Sequence, residues 1–378
     1  MKLIHLSDLH LGKRLKEFNL LDDQEFILRQ CLTVIDEEKP DAVILAGDIY
    51  DKAIPSAEAV ALFDEFLYDL VLRNLHVLII SGNHDSPERI AFGHRLLKNS
   101  NVHVSPVYDG TVRPITLEDR FGSVNLYLLP FIKPIHVRRF FENETIETYT
   151  DAIRTAIRNM QVNPAERNVL VTHQFVTGAE RSESEEIPIG GLDNVDASVF
   201  DGFDYVALGH IHGPQSIGSD RIRYCGTPLK YSFSEAKQNK SVTVAELGEK
   251  GSLTVKGVPL IPKREMRELR GSYMELVSKS NYEGTNTDDY IHITLTDEED
   301  IPEVISRFRI LYPNLMQLDY DNQRTRNQAA VGGAQDAERK SPTELFSELY
   351  EKQNGMPLSE EQRQYTEELM ARIWEGGR

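Results

Sequence analysis

The stretch Ala42-Val43-Ile44-Leu45-Ala46-Gly47-Asp48-Ile49-Tyr50-Asp51 decides the fold. Its first half is apolar, too short for a helix and bounded by Asp41 and Gly47, which is typical of a strand buried on both faces. Gly47 lets the backbone turn sharply, so Asp48 is presented at the carboxyl end of this strand. Ligands bind at that end of the strands in open α/β sheets. The stretch therefore predicts a functional carboxylate at Asp48, with simple turn chemistry as the alternative.

Four other apolar runs end in the same kind of polar group. They are residues 2–6 before Asp8 and His10, residues 76–80 before Asn83, His84 and Asp85, residues 169–172 before His173, and residues 205–208 before His210 and His212. Carboxylates, imidazoles and an amide oxygen together suit a divalent ion such as Mn²⁺, Fe²⁺ or Zn²⁺. Each pattern alone could be a turn or a surface histidine. Taken together, the five strand ends predict a metal site in which Asp48 bridges two ions.

The composition is typical of a globular protein with two or three domains. The chain has 378 residues, of which 40% are hydrophobic and 27% charged. No apolar run is long enough to span a bilayer, so we expect no membrane contact. The two cysteines, Cys31 and Cys225, fit a reducing, cytoplasmic location. The net charge of −18 argues against a freestanding nucleic-acid binder, so DNA contact requires a local basic patch, the metal ions or a partner.

The five motifs together (Asp-x-His, Gly-Asp, Gly-Asn-His-Asp, Thr-His and Gly-His-x-His) resemble those of the calcineurin-like metallophosphoesterases. Residues 7–12, 47–51, 172–176 and 226–233 are similar to the SbcD family of bacterial nuclease subunits, and the resemblance covers essentially the whole chain. It implies an α/β fold, a four-layer sandwich of two sheets flanked by helices, with a small α+β capping domain and C-terminal helices. We expect strands at 222–225, 241–247 and 253–260 to complete the second sheet.

The resemblance also implies a set of site residues. One metal ion would be held by Asp8, His10, Asp48 and His212, and the second by Asp48, Asn83, His173 and His210. His84 matches the catalytic histidine of the family, and Asp85 would orient either His84 or a backbone turn. Mn²⁺ is the ion we expect at both positions. Archaeal and eukaryotic relatives carry a histidine where this chain has Asp51, so Asp51 receives no catalytic role.

The domain organisation follows from changes in pattern along the chain. They predict units at 1–262 and 263–321, a linker at 322–340 and a helical segment at 341–378, and the resemblance implies that the first unit is the nuclease domain and the second the capping domain. The last segment contains two short amphipathic helices on a tether, which suggests docking to a partner. A helical hairpin folded back on the core is the alternative. By resemblance, the partner is the coiled coil of an SbcC-like ATPase.

The resemblance implies a metal-dependent DNA nuclease that acts on double-strand ends and hairpins in DNA repair, recombination and replication. Exonuclease action would be ATP-stimulated with SbcC, and endonuclease action need not be. The nuclease subunit would form a homodimer, for which helices predicted at 55–74 and 86–98 are the candidate contact. Residues that contact DNA stay unassigned: Lys13, Arg14, Lys16, Arg138 and Arg139 are candidates, with an ordinary solvated face as the alternative.

Two other functions are compatible with the same core. One is a small-molecule phosphomonoesterase or cyclic-nucleotide phosphodiesterase, which gives no role to the capping domain or the C-terminal helices. The other is a non-enzymatic scaffold that keeps the fold. Such scaffolds typically lose metal ligands, whereas this chain retains every one of them.

Overall fold

The computed structural model describes residues 1–185, 193–323, 325, 346–347, 350–351, 357–359, 361–366 and 369. Most of the predicted linker at 322–340 and most of the helical segment predicted at 341–378 lie outside these residues. The chain divides into two compact units. The first comprises Met1–Leu269, Val277–Ile293 and Glu303–Leu318, and the second comprises Arg270–Leu276, Thr294–Pro302 and Asp319–Arg378. The domain boundaries at 262/263 and 321/322 stay a prediction.

The first sheet carries three of the five motif strands. Its six strands are, in spatial order, Leu253–Pro259, Ser241–Leu247, Lys2–Leu6, Ala42–Ala46, His76–Ile80 and Val102–Val104. The last four run parallel, so their carboxyl ends lie at one edge of the sheet. Ala42–Ala46 is buried along its whole length, as its uninterrupted apolar run predicted.

The second sheet carries the other two motif strands. Its six strands are, in spatial order, Gln215–Ile217, Ser219–Tyr224, Tyr205–Gly209, Arg167–His173, Gly122–Leu129 and Ile115–Asp119. The four central strands run parallel to one another. Tyr205–Gly209 and Arg167–His173 therefore also end at a common edge.

The prediction that 241–247 and 253–260 belong to the second sheet is wrong. Both strands extend the first sheet, because Ser241–Leu247 pairs antiparallel with Lys2–Leu6 and places Ala245 opposite Leu3. This pairing covers an edge of Lys2–Leu6 that would otherwise be exposed. Only the run predicted at 222–225 joins the second sheet, as part of Ser219–Tyr224.

Apolar side chains of the two sheets meet in a shared core, in which Leu3, Ile44 and Leu78 pack with Leu126 and Val171. The opposite faces are covered by helices. Leu21–Glu38 and Ala57–Leu72 pack on the first sheet, and Tyr149–Met160 packs on the second. The predicted four-layer sandwich of two sheets flanked by helices is confirmed.

Two predicted helices have different bounds. The helix predicted from Pro55 is Ala57–Leu72, because Ser56 is the cap and its hydroxyl accepts the Ala59 N–H. The helix predicted at 86–98 is two short helices, Pro87–Ile90 and His94–Leu97. Gly93 separates them in the left-handed region at φ +72°, where the helical path cannot continue.

The remaining elements of the part of the chain that the structure describes are short. A three-stranded sheet has the order Met266–Gly271, Tyr290–Leu295, Leu315–Tyr320. The other strands are Arg14–Leu15, Phe18–Asn19, Phe175–Val176 and Asn194–Val195. The other α-helices are Pro134–Arg138, Tyr273–Leu276, Lys279–Tyr282 and Val304–Arg309. Short 3-10 helices are formed by Lys98–Ser100, Ala197–Phe200 and Phe233–Glu235. Over the described ranges, no helix is long and apolar enough to cross a membrane.

Candidate metal centre

The motif-bearing ends of the two sheets are tied together by the backbone. The loop after the first strand is fixed to the loop after Ala42–Ala46, since the Asp8 N–H donates to Gly47 O at 2.9 Å and the His10 N–H donates to Asp48 O at 3.0 Å. The second sheet joins them through His173, whose Nδ1 lies 2.8 Å from the carbonyl oxygen of Ala46. The predicted site residues on five strand ends are thereby brought to one place.

Two glycines make this close approach possible. A Cβ on Gly82 would lie 2.1 Å from Asp48 Oδ1, and a Cβ on Gly209 would lie 2.0 Å from the carbonyl oxygen of Ala46. Both distances are far inside van der Waals contact, and Asp48 and Ala46 are held in the interior. Glycine is therefore required before both the Asn83-His84 and the His210-Ile211-His212 motifs.

Four of the predicted ligands have backbone conformations that L-residues rarely adopt. Asp8, His10, Asp48 and His210 have φ values of 54°, 45°, 49° and 99°. Such conformations cost free energy and are concentrated at functional sites, where the surrounding structure holds them. Here they turn each side chain inward immediately after its strand ends.

The first ligand cluster is formed by Asp8, His10 and His212, whose ligand atoms lie within 4.8 Å of one another. The Nε2 atoms of His10 and His212 are 3.2 Å apart. Asp48 Oδ2 lies 3.8 Å from His10 Nε2. All four side chains are buried.

The second cluster is formed by Asp8, Asp48 and His173, with the same limit of 4.8 Å between ligand atoms. His173 Nε2 is 3.3 Å from Asp48 Oδ2. The side-chain oxygen of Asn83 lies 3.0 Å from His173 Nε2 and 2.9 Å from His210 Nδ1. Asp8 belongs to both clusters, and Asp48, a member of the second, also lies 3.8 Å from His10 Nε2 in the first, as a bridging ligand would.

The chemistry of these donors fits divalent cations. The Nδ1–H of His173 donates to Ala46 O, so in the neutral ring Nε2 carries a lone pair that faces Asp48 Oδ2. A lone pair and a carboxylate oxygen 3.3 Å apart repel unless a proton or a cation lies between them. Nitrogen and oxygen donors in this number match the preferences of borderline and hard divalent ions.

The pKa values of Asp48 and His173 also indicate that the buried carboxylates need a positive charge beside them. Burial alone would raise the pKa of Asp48, but the neighbouring rings of His173, His10 and His84 outweigh it and hold that pKa well below its usual range. Burial likewise disfavours charged His173, but Asp48 and Asp8 outweigh burial and raise the pKa of His173 to about 9. Without a metal, a proton on His173 therefore balances the buried carboxylates.

His84 lies beside Asp48 and is partly exposed. Its Nδ1 is 3.1 Å from the carbonyl oxygen of Asp51, to which it donates. This leaves Nε2 facing the cluster, 3.9 Å from Asp48 Oδ2. The backbone N–H of His84 also donates to Asp48 Oδ1 at 2.9 Å, which fixes the position of the ring relative to the bridging carboxylate.

Asp85 holds a backbone turn. Its carboxylate accepts the N–H groups of Gly82 at 3.0 Å, Ile49 at 3.1 Å and Tyr50 at 3.0 Å. Burial and the charge of Asp48 raise the pKa of Asp85 to about 6, although these three donors lower it. Of the two roles predicted for Asp85, the geometry matches the one that fixes the backbone.

Sequence reasoning missed a polar network behind His212. His212 Nδ1 lies 2.6 Å from Ser184 Oγ, and Ser184 Oγ donates to Glu235 Oε1. Lys240 Nζ donates to Glu235 Oε2 at 2.6 Å and to the carbonyl oxygen of His212 at 2.9 Å. These residues follow no strand end and share no characteristic spacing, so the sequence carries no signal that would have found them.

Four of the five basic residues considered for DNA contact have hydrogen-bond partners within the protein. Arg14 donates to the carbonyl oxygen of Glu17 at 2.9 Å, and Arg139 donates to that of His136 at 3.2 Å. Lys13 Nζ donates to Asp51 Oδ1 at 2.8 Å, and Lys16 Nζ donates to Gln317 Oε1 at 2.8 Å. The guanidinium of Arg139 lies 5.4 Å from the ring centre of Phe140. No DNA contact is assigned to any of them.

Comparison with known proteins places this architecture in a family. The family model of the calcineurin-like phosphoesterases matches residues 1–214. A second model, SbcD_C, described as the type 5 capsule protein repressor C-terminal domain, matches residues 262–354. The SbcD component of the SbcCD nuclease of Staphylococcus epidermidis (strain ATCC 12228) is 34% identical over 322 residues, which cover 84% of this chain and 85% of that protein. This chain belongs to the SbcD family of calcineurin-like phosphoesterases. As a member of the SbcD family, it is a metal-dependent hydrolase of phosphate esters that uses divalent ions.

Solved structures with a more distant likeness were also found. A dimetal phosphatase from Danio rerio is 12% identical, with a TM-score of 0.40, over 69% of this chain and 98% of that one. The TT1561 protein of Thermus thermophilus is 12% identical, with a TM-score of 0.36, over 68% of this chain and 98% of its own.

Proposed function

We propose that this chain is the nuclease subunit of an SbcCD-type complex. It would hydrolyse phosphodiester bonds at DNA double-strand ends and hairpins, as an exonuclease and as an endonuclease, in DNA repair, recombination and replication. The observation that carries the proposal is the position of Asp48, which belongs to the second ligand cluster and lies 3.8 Å from His10 Nε2 in the first, with His84 Nε2 directed at the same carboxylate. The 34% identity to a component of the SbcCD nuclease supports DNA as the substrate.

The proposed ligand sets follow the two clusters. Asp8, His10, Asp48 and His212 would hold one ion, and Asp48, Asn83, His173 and His210 would hold the other. Two ions bound there would activate the attacking water and neutralise charge on the phosphate. Most of these side chains are buried, and hydrogen bonds from groups such as Ala46 O and Ser184 Oγ would keep the ligand atoms in place. We propose Mn²⁺ at both positions, because mixed imidazole and carboxylate donors suit it.

His84 is proposed as the catalytic histidine. Because its Nδ1–H is held by Asp51 O, its Nε2 is free to meet the phosphate or the leaving oxygen. A protonated Nε2 at this place would donate to an oxygen on which negative charge develops, and positioned proton donors of this kind typically contribute about 10²–10⁴ in rate.

Assembly forms a further part of the proposal. We propose that residues 263–321 act as a capping domain, and that residues 341–378 bind the coiled coil of an SbcC-like ATPase that makes exonuclease action ATP-stimulated. A homodimer would use the surface around Ala57–Leu72 and His94–Leu97. Apolar side chains stay exposed there, with Phe92 at 85% and Leu96 at 78%, which supports an interface. The two free cysteines, both buried, support a cytoplasmic location.

The proposal is tested with an end-labelled hairpin DNA and a small phosphate ester, each incubated with the purified chain and Mn²⁺. Cleavage of the hairpin that EDTA abolishes is the expected result. Turnover of the small ester without any cleavage of DNA, in the presence and in the absence of the ATPase partner, would contradict a DNA nuclease and favour a small-molecule phosphoesterase.

A further inference from the structure

A basic cavity of about 560 Å³ lies outside the metal centre. Its fully charged side chains are Arg95, Lys98 and Arg113 against one carboxylate, Asp109. His94 and His103 also line it. Three cations against one anion leave a local excess of two positive charges, in a chain whose net charge is −18. The cavity is therefore locally positive in a protein that is negatively charged overall.

The three cations are available to a ligand. Among the residues that the structure describes, none of Arg95, Lys98 and Arg113 makes an ion pair or a side-chain hydrogen bond, and all three are exposed. Asp109, the acidic residue of the lining, is occupied by its own turn, since its Oδ1 accepts both the N–H and the hydroxyl of Thr111. Unpaired guanidinium and ammonium groups that converge on a cavity are suited to phosphate.

Tyr108 also lines the cavity, but its hydroxyl has less than 1 Å² of accessible surface. Tyr108 lines it with only 7% of its surface exposed, and its hydroxyl has no hydrogen-bond partner over the described part of the chain. Burial, followed by the charge of Asp109, raises the pKa of Tyr108 to about 12, so the hydroxyl keeps its proton at neutral pH. A hydroxyl shielded in this way does not meet a ligand in the open cavity, so the three cations are the groups that would bind one.

The cavity adjoins the strand end that carries Asn83 and His84. Its lining residue Ser105 follows Val102–Val104, and the Ser105 N–H donates to Ile79 O at 2.8 Å. On the second sheet, Phe131 directly follows the lining residue Pro130, and its N–H donates to Ser81 O at 2.9 Å. Neighbouring strands are about 4.8 Å apart, so the cavity lies at the same edge as the metal centre, about one strand to the side of Asn83.

We propose that this cavity binds a backbone phosphate of the DNA strand that enters the metal centre, next to the bond that is cut. The inference rests on the proposed nuclease function and adds a binding site to it. Its chemistry is that of phosphate, since three unpaired cations supply the charge. We propose that the phosphate belongs to DNA, because the cavity lies at the same edge of the sheets as the proposed site of cleavage. A free phosphate or nucleotide is the other source of the same chemistry.

The test compares two triple variants of the full-length chain. One removes the cations of the cavity (Arg95→Gln, Lys98→Gln, Arg113→Gln), and the matched control removes three exposed cations elsewhere (Lys237→Gln, Lys263→Gln, Lys279→Gln). Affinity for a fluorescent hairpin DNA is measured in EDTA, over a series of salt concentrations. Thermal unfolding and bound Mn²⁺ per chain show whether each variant is folded.

The cavity variant is expected to bind hairpin DNA at least about tenfold more weakly than the control, with a salt slope lower by about one for each lost phosphate contact. Equal affinities in the two triple variants would overturn the inference. So would saturation of the cavity by inorganic phosphate without any loss of DNA binding, since this would make free phosphate the ligand. If the wild-type chain cleaves DNA and the cavity variant binds DNA normally, only the cavity site is overturned. If the wild-type chain neither binds nor cleaves DNA, the proposed nuclease function is overturned.

Discussion

The carboxylate of Glu235 and the ammonium of Lys240 lie 2.6 Å apart in the protein interior, directly behind the ring of His212. Burial alone would raise the pKa of Glu235, but His212 and Lys240 hold it well below its usual range, so the pair is ionised. Through Ser184, Glu235 reaches His212 Nδ1 and directs its Nε2 to the first ligand cluster. Partners of this kind orient metal-binding histidines.

Glu235→Gln should weaken metal binding and destabilise the fold. The variant leaves the Lys240 ammonium buried without its counter-charge, which typically costs about 3–5 kcal/mol, and loosening of His212 should lower metal affinity by about 10–100-fold. Urea unfolding and Mn²⁺ titration measure the two effects. Glu246→Gln, at an exposed position of Ser241–Leu247, is the control and should change neither. Wild-type Mn²⁺ affinity in Glu235→Gln would show that the network does not position His212.

Asp48→Asn should remove both ions, because Asp48 belongs to the second cluster and lies 3.8 Å from His10 Nε2 in the first. Metal content per chain, measured after dialysis against Mn²⁺, is expected to fall from about two to near zero. Asp64→Asn, which alters an exposed carboxylate on Ala57–Leu72, should leave the content at about two. One ion retained at full occupancy in Asp48→Asn would contradict the bridging role.

Gly82→Ala should disrupt the same carboxylate by steric means. The added methyl group would lie 2.1 Å from Asp48 Oδ1, so either the side chain or the turn must move. Gly202→Ala is a matched control, since its methyl group would meet Val162 at an ordinary 3.7 Å. We expect loss of bound metal and a lower melting temperature only in Gly82→Ala. Normal metal content in that variant would mean that the close approach of Gly82 is not needed.

Metal uptake should depend on pH through His173. In the metal-free protein its pKa is raised to about 9, so at neutral pH an incoming ion must displace a proton. Calorimetry in buffers of different ionisation enthalpy should detect the release of at least about one proton per chain at pH 7, falling as the pH passes 9. The same raised pKa has the opposite pH dependence for folding: the metal-free protein becomes less stable as the pH rises, whereas metal uptake becomes easier. A raised pKa stabilises the metal-free fold fully below the ordinary value near 6.5, and this contribution is lost as the pH rises through about 9. Proton release that is zero at pH 7 would contradict the assignment.

The sequence predicted the members of the candidate site better than their surroundings. Asp8, Asp48 and His173 each follow an apolar run, and carboxyl ends of parallel strands share an edge, so chain position alone indicated their convergence. The sheet to which 241–247 belongs was predicted wrongly. The pattern of apolar and polar residues indicates that a segment is a buried strand, but it does not indicate which strand it pairs with. The Glu235–Lys240 pair could not be predicted, since both residues were brought to His212 by tertiary packing of a segment without periodic pattern.

The most direct measurement is cleavage of an end-labelled hairpin DNA with Mn²⁺ by the wild-type chain and by His84→Gln, with metal content determined on the same samples. Both proteins should bind about two ions, because His84 is proposed to meet the phosphate rather than to hold a metal. The wild type should cut the hairpin, EDTA should abolish the cutting, and the variant should cut at least about 100-fold more slowly. Cleavage by His84→Gln at the wild-type rate, with both ions bound, would contradict the account.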